Sequence, residues 1–440
     1  MEMTDIKQWY ISNFDLFEES LNGSRETPFH EVRRSAISKF SELGFPTPRH
    51  EDWKYTNVAP MLEHKFKLPT EAAKVPKEVL RDFTFDKLKE NLVVFINGLF
   101  SEELSKIDLN SDDIIVSSLR NAMVNHSDLV YKHLGRYVSF EDESFTALNT
   151  AFTNDGTFIF VPDNKVIEDP IHLIYISDGD TELVSHLRNL FIVGKNSQVK
   201  IIESFHSLSA TTYFNNLVTE VFVDKNAIVD HIKLQEESIN AFHISNAQVQ
   251  QERQSVYRTV NIDLGGGLVR NNLNVLLNDE HCESHLFGFF LGQGTQHIDN
   301  HTFIDHAKPH CFSNELYKGI LDDKARGVFN GKIIVRPDAQ KTNALQSNKT
   351  LLLTDDASIN AKPQLEIFAD DVKCTHGATI GQLDDEAMFY LRARGIGEEM
   401  AGAMLRHAFI SDVLENIKIE EVRERMDAHI IERFTKALKS

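Results

Sequence analysis

The sequence runs to 440 residues and 50.2 kDa, 41% of them hydrophobic, which is enough apolar material for more than one core and for two or three domains. A formal charge of −20 and a pI near 5.4 oppose binding to phosphate backbones, whose affinity comes mainly from Lys and Arg, so nucleic acid is excluded as a partner class. Apolar runs such as Leu92–Ile96 fall far short of the ~20 residues that cross a bilayer. The first residues show neither a basic stretch nor an apolar stretch of a secretory signal, so a cytoplasmic location is expected.

In chain order, the first elements are two amphipathic stretches, Asp5 to Leu21 and Thr27 to Leu43. Thr27-Pro28 opens the second as a helix, because threonine can cap free amides and proline fits the first turn, and Gly44 with Pro46 and Pro48 stops it. The segment from Pro48 to Thr56, with its Glu51-Asp-Trp-Lys-Tyr-Thr56 core, follows neither regular period and reads as an ordered loop anchored by Trp53.

From Thr157 to Asp384 the texture changes to short Val/Ile/Leu/Phe runs separated by Asp, Asn, Gly and Lys. Phe191–Val199, Val221–Val229 and Leu351–Ile359 share one form, a strand, a polar corner and a second strand. A stacked solenoid and a β-sandwich both produce this texture, and periodicity alone does not choose between them. After Asp384 the helical period returns. Asp384-Asp385-Glu386 suits a helix N-terminus, Arg392 and Arg394 precede Gly395, and helices are predicted over Glu398 to Leu414 and Ile419 to Leu438.

Several chemistries lack their usual motif. There is no G-x-x-x-x-G-K-[ST] phosphate loop, so ATP hydrolysis is not expected of this chain, and Gly292-Gln-Gly294 lacks the third glycine of a dinucleotide site. Neither G-x-S-x-G nor H-E-x-x-H occurs. Cys282, Cys311 and Cys374 are too few and too dispersed for a disulfide framework and form no C-x-x-C pair; if they act, they act as thiols.

Two sets of residues remain as metal-ligand candidates. His281, Cys282, His285, His297, His301, His306, His310 and Cys311 are dense in sequence but match no standard zinc spacing, and alternate strand residues face opposite sides. Cys374-Thr375-His376 is sharper. In a strand the thiol of Cys374 and the imidazole of His376 project from one face, which makes half of a site for iron or an iron–sulfur cluster. Such clusters take about four protein ligands, so the remainder must come from elsewhere, most naturally another chain.

The stretches Val328–Val335, Ala339–Ala344, Pro363–Ile367, Ala369–Gly381 and Phe389–Ile396 together resemble the SufB/SufD family of iron–sulfur cluster assembly proteins. His306-Ala-Lys-Pro-His310 with Ser313 and Tyr317-Lys-Gly319, and the Glu51–Thr56 segment, are similar to further signatures of that family. The resemblance spans nearly the whole chain and is most specific over residues 305–410. It implies a mainly β protein, with a right-handed parallel β-helix over 157–383 between a helical and mixed region over 1–156 and a helical domain over 384–440.

It further implies a non-enzymatic scaffold that pairs through its β-helix with a SufB-type subunit and docks a SufC-type ABC ATPase through its C-terminal helices. On this resemblance His376, with Cys374, contributes to a transient cluster shared with the partner, and no nucleotide is bound by this chain. Phe389, Leu391, Arg394, Met404, Leu405 and Phe409 are the expected ATPase-docking residues. Two departures favour the SufD branch: Ser347 stands where SufB carries a key cysteine, and Gly377 where SufB tends to place a glutamate. Family complexes contain flavin, but no flavin motif is present here. Two rival readings are a free-standing iron-binding homodimer and a carbohydrate-active β-helix enzyme using carboxylates such as Asp322 and Asp323.

Overall fold

In the computed structural model the residues described are 3–21, 27–71, 73–85, 88, 90–109 and 113–436. Sixteen strands from Thr157 onward coil into a parallel β-solenoid of about 8 turns, each turn giving one strand to each of two sheets. One sheet stacks Ile171–Ser177, Gln198–Ser207, Ile228–Glu236, Val256–Asp263, Glu283–Gly292, Phe312–Leu321, Asn343–Leu352 and Lys373–Gly381. The other stacks Thr157–Val161, Val184–Val193, Tyr213–Val223, Ala241–Gln251, Leu268–Leu277, His297–His306, Arg326–Val335 and Ser358–Ile367. The solenoid, rather than the sandwich, is therefore the fold.

The polar corners explain the stacking. Asn164, Asn196, Asn226, Gln254, His281, His310 and Lys341 each have positive φ, between 56° and 63°, and occupy one corner column. Their amides donate to the turn above, as in Asn196 N to Lys225 O (2.9 Å) and Asn226 N to Arg253 O (3.0 Å). Asparagine tolerates the left-handed conformation better than most residues. Its side chains also form a ladder, Asn226 Nδ2 to Asn196 Oδ1 (3.0 Å) and Asn196 Nδ2 to Asn164 Oδ1 (2.8 Å), across spacings of 30 and 32 residues. That spacing is the repeat hidden in the loose sequence pattern.

Both outer faces of the early turns are covered, so Ile171–Ser177 and Val184–Val193 are buried throughout, whereas later strands such as Phe312–Leu321 and Asn343–Leu352 alternate buried with partly exposed residues. Helices Met3–Ser20, Pro28–Leu43 and Ser144–Phe152 cover the second sheet, where Tyr10, Phe40, Trp53, Phe145 and Phe152 pack with Phe214, Ile244 and Leu268. Pro28 lies in the first turn of its helix and Gly44, at φ 65°, ends it. On the first sheet, helices Glu398–Leu414 and Glu420–Lys436 press Ile410, Val413, Val422, Met426 and Ile430 onto Ile232, Val260, Ile262, Phe289 and Ile320. Each large aliphatic side chain buried in this way is worth about 1.5–3 kcal/mol. The helix Asp385–Ala393 is capped by Asp384, whose carboxylate accepts from Glu386 N (2.9 Å) and Ala387 N (3.1 Å).

The two ends differ. At the first turn, Asn91–Ile96 adds in parallel to Ile171–Ser177, and Ile115–Ser118 adds antiparallel to Thr157–Val161. At the last turn, Lys373–Gly381 pairs with Asn343–Leu352 alone and Ser358–Ile367 with Arg326–Val335 alone, among the described residues. One end of the coil is capped and the other is open.

Candidate functional site

In-register stacking sends equivalent residues of successive turns to the same face, about 4.8 Å apart. Cys374 pairs in register with Ala344, and Ala344 with Ser313, both buried in the interior. His376 pairs with Gln346, and Gln346 with Glu315, also buried. Cys374 and His376 thus top two adjacent inward columns at the open end. Cys374 is half-buried against the solenoid core and His376 is exposed, since among the described residues no further turn lies above it. Burial pushes the Cys374 thiol up, so it is held protonated until a cation or base meets it.

Below this pair the interior is polar. Gln346 Nε2 donates to Glu315 Oε2 (2.8 Å), and burial pushes the Glu315 carboxyl up to about 7. Ser347 and Gly377 pair with each other on the opposite, outward face of the same strands. Around the opening lie Ile367, Phe368 and Ile380, all exposed. A free strand edge with an apolar rim is a template for a second chain.

The dense histidine set disperses. His281 and His310 stack ring on ring at a corner, 4.9 Å apart. His285 faces Glu283 (3.5 Å). His297 and His301 face the N-terminal region, and His306 lies inside with Nε2 2.9 Å from Ser313 Oγ. Among the described residues no three or more His, Cys, Asp or Glu side chains are arranged to hold a metal ion. Asp322 and Asp323 sit in a corner, where Asp322 Oδ1 accepts from Asp323 N (2.8 Å) and Asp323 Oδ2 from Gly294 N (2.9 Å). These are turn contacts rather than a paired acid and base.

Of the C-terminal residues, Phe389 is 75% exposed and Met404 45%, with Tyr390 and Met400 beside them in sequence and also exposed. Leu391 and Leu405 are half-buried, and Arg394 stacks its guanidinium on Tyr390, 4.6 Å from the ring centre. Phe409 turns the other way: Lys318 Nζ sits 4.7 Å from its ring centre and donates to its carbonyl, which fastens the helix to the solenoid.

A constellation that sequence reasoning missed joins the Glu51–Thr56 segment to the solenoid. Asp299 is buried and receives Arg270 Nη1 (2.7 Å), His301 Nε2 (2.9 Å) and the Thr56 hydroxyl. Arg270 also donates to Asp52 O (2.7 Å) and lies 3.8 Å from the Trp53 ring centre. The signal was the aromatic and polar 51–56 motif itself, which needed a buried polar partner that its own segment did not supply.

Residues 175–409 match the family model described as SUF system FeS cluster assembly, SufBD core domain, and residues 4–173 match that of the SufBD protein N-terminal region. The chain is 34% identical to an iron–sulfur cluster assembly SufBD family protein of Synechocystis, over 92% of this chain and 91% of that one. It is 29% identical to the iron–sulfur cluster assembly protein SufD of Escherichia coli, over 97% and 96%. It is 27% identical to the protein of that name from Bacillus subtilis, over 92% and 93%.

Proposed function

The chain belongs to the SufB/SufD family of iron–sulfur cluster assembly proteins and is SufD-like, and we propose that it serves as the scaffold half of a two-chain assembly site. The observation that carries this reading is the open end of the solenoid, where Cys374 and His376 crown adjacent inward columns beside unpaired strand edges. A SufB-type solenoid continues the sheets there by adding strands, covers Ile367, Phe368 and Ile380, and supplies the missing ligands. Cluster iron and sulfide are cargo at this junction: the Cys374 thiolate and the His376 imidazole offer one soft and one borderline donor, and neither donor suffices alone.

The exposed face bearing Phe389, Leu391, Arg394, Met404 and Leu405 docks a SufC-type ATPase, and Phe409 holds the docking helix to the solenoid. Nucleotide-driven movement of that ATPase then reaches the junction through the Glu398–Leu414 helix, which is packed directly on the first sheet.

The test is anaerobic co-purification with SufB-type and SufC-type partners, followed by cluster reconstitution read by iron content and visible absorbance. A ternary complex whose cluster yield falls on His376→Ala and on Cys374→Ala is expected. A chain that forms only a homodimer, or a complex whose yield is indifferent to both substitutions, overturns the half-site.

A further inference from the structure

Cys282 and Cys311, which take no part in the half-site, occupy the same place in successive turns. Each follows a corner histidine of left-handed conformation, His281 or His310, both at φ 61°. Phe312 N donates to Cys282 O (2.9 Å), and Glu283 pairs in register with Phe312, so the two cysteine backbones are neighbouring rungs. Rungs about 4.8 Å apart fall within the ~4.4–6.8 Å Cα separation that a disulfide spans. Both sulfurs lie against one carbonyl, Asp279 O, at 3.1 Å from Cys282 Sγ and 3.3 Å from Cys311 Sγ. Both thiols are buried at the edge of the interior core, each next in sequence to an exposed corner histidine.

From this geometry we propose that Cys282 and Cys311 are a reactive dithiol that closes to an intramolecular disulfide on meeting a hydroperoxide, a modification site distinct from Cys374 and His376. The environment divides the labour. The neighbouring Cys311 sulfur, and burial, push the Cys282 thiol up, whereas the Cys282 sulfur beside it, against burial and with His306 in support, lowers the Cys311 thiol. Cys311 sulfur attacks one peroxide oxygen, the O–O bond breaks and water leaves, giving Cys311 sulfenic acid. Cys282 sulfur then attacks Cys311 sulfur, its proton leaves with the hydroxyl as a second water, and the S–S bond forms. Two thiols are oxidised and one hydrogen peroxide is reduced to two waters.

The experiment treats the folded full chain with hydrogen peroxide, blocks remaining thiols with N-ethylmaleimide, and maps unreduced peptides by mass spectrometry. The expected result is a linked Cys282–Cys311 peptide, lost on adding dithiothreitol, and two of the three thiols consumed. Cys374→Ser keeps the link. Cys282→Ser and Cys311→Ser each abolish the link and leave the sulfenic acid of the remaining thiol for capture by dimedone. Free alkylated Cys282 and Cys311 after peroxide, or a link to Cys374 instead, overturns the proposal. The wild-type map decides alone if a serine variant fails to fold.

Discussion

Replacing Asp299 tests whether the Glu51–Thr56 segment is clamped by charge or merely packed. The carboxylate is 1% exposed and is met by Arg270 (2.7 Å), His301 (2.9 Å) and Thr56, while Arg270 is itself only 3% exposed. Asp299→Ala strands a buried guanidinium, for which about 3–5 kcal/mol of lost stability is expected. Asp299→Asn keeps the shape and removes only the charge, so about 1.5–3 kcal/mol is expected. Removing both charges, as in Asp299→Ala with Arg270→Met, should cost less than the two single changes added together, because no uncompensated ion remains. Urea unfolding followed by tryptophan fluorescence suits the question, since Trp53 lies under Arg270. Burial alone pushes the Asp299 carboxyl up, but His301 and Arg270 outweigh it and hold it well below the usual range. Its contribution is therefore complete above the unfolded value of about 3.9 and is lost as pH falls below that. Single and double variants that are additive, or an Asp299→Ala chain within about 0.5 kcal/mol of the parent, would refute the clamp.

Glu315 carries the opposite sign. With its carboxyl pushed up to about 7, the folded chain holds a proton that the unfolded chain releases near 4.3, so stability declines as pH rises from about 4.3 to about 7. Glu315→Gln should flatten that decline and raise the unfolding midpoint at pH 8 relative to the parent, measured by thermal melts at pH 5 and pH 8. Phe389→Ser and Met404→Ser, both on exposed positions, should leave the melting temperature nearly unchanged yet abolish capture of the SufC-type ATPase in pull-down. Asn226→Ala keeps a φ of 59° without the ladder bonds to its neighbour, and about 1–2 kcal/mol of lost stability is expected in equilibrium unfolding.

The sequence alone was legible where a local signal carries the physics. Thr27-Pro28 and Gly44 delimit a helix, Asp384 caps another, and the stretch from Glu398 to Leu414 is helical throughout, because capping, backbone conformation and apolar spacing are properties of a few consecutive residues. The alternation that sets Cys374 and His376 on one face is equally local. Their family motif added what spacing did not, the choice of a solenoid over a sandwich. Tertiary structure decided everything that depends on which turn lies above which. Stacking joined residues one coil apart, such as Asn196 with Asn226, Cys282 with Cys311 and His281 with His310, and it sent His285, His306 and the pair His297 and His301 to three different places. It also brought Asp299 under Thr56, a hydrogen bond across a sequence separation of 243 residues. A strand's own residues fix its two faces, but only the register between strands fixes what each face meets. Here that register leaves one end of the coil capped and the other, with Cys374 and His376, open.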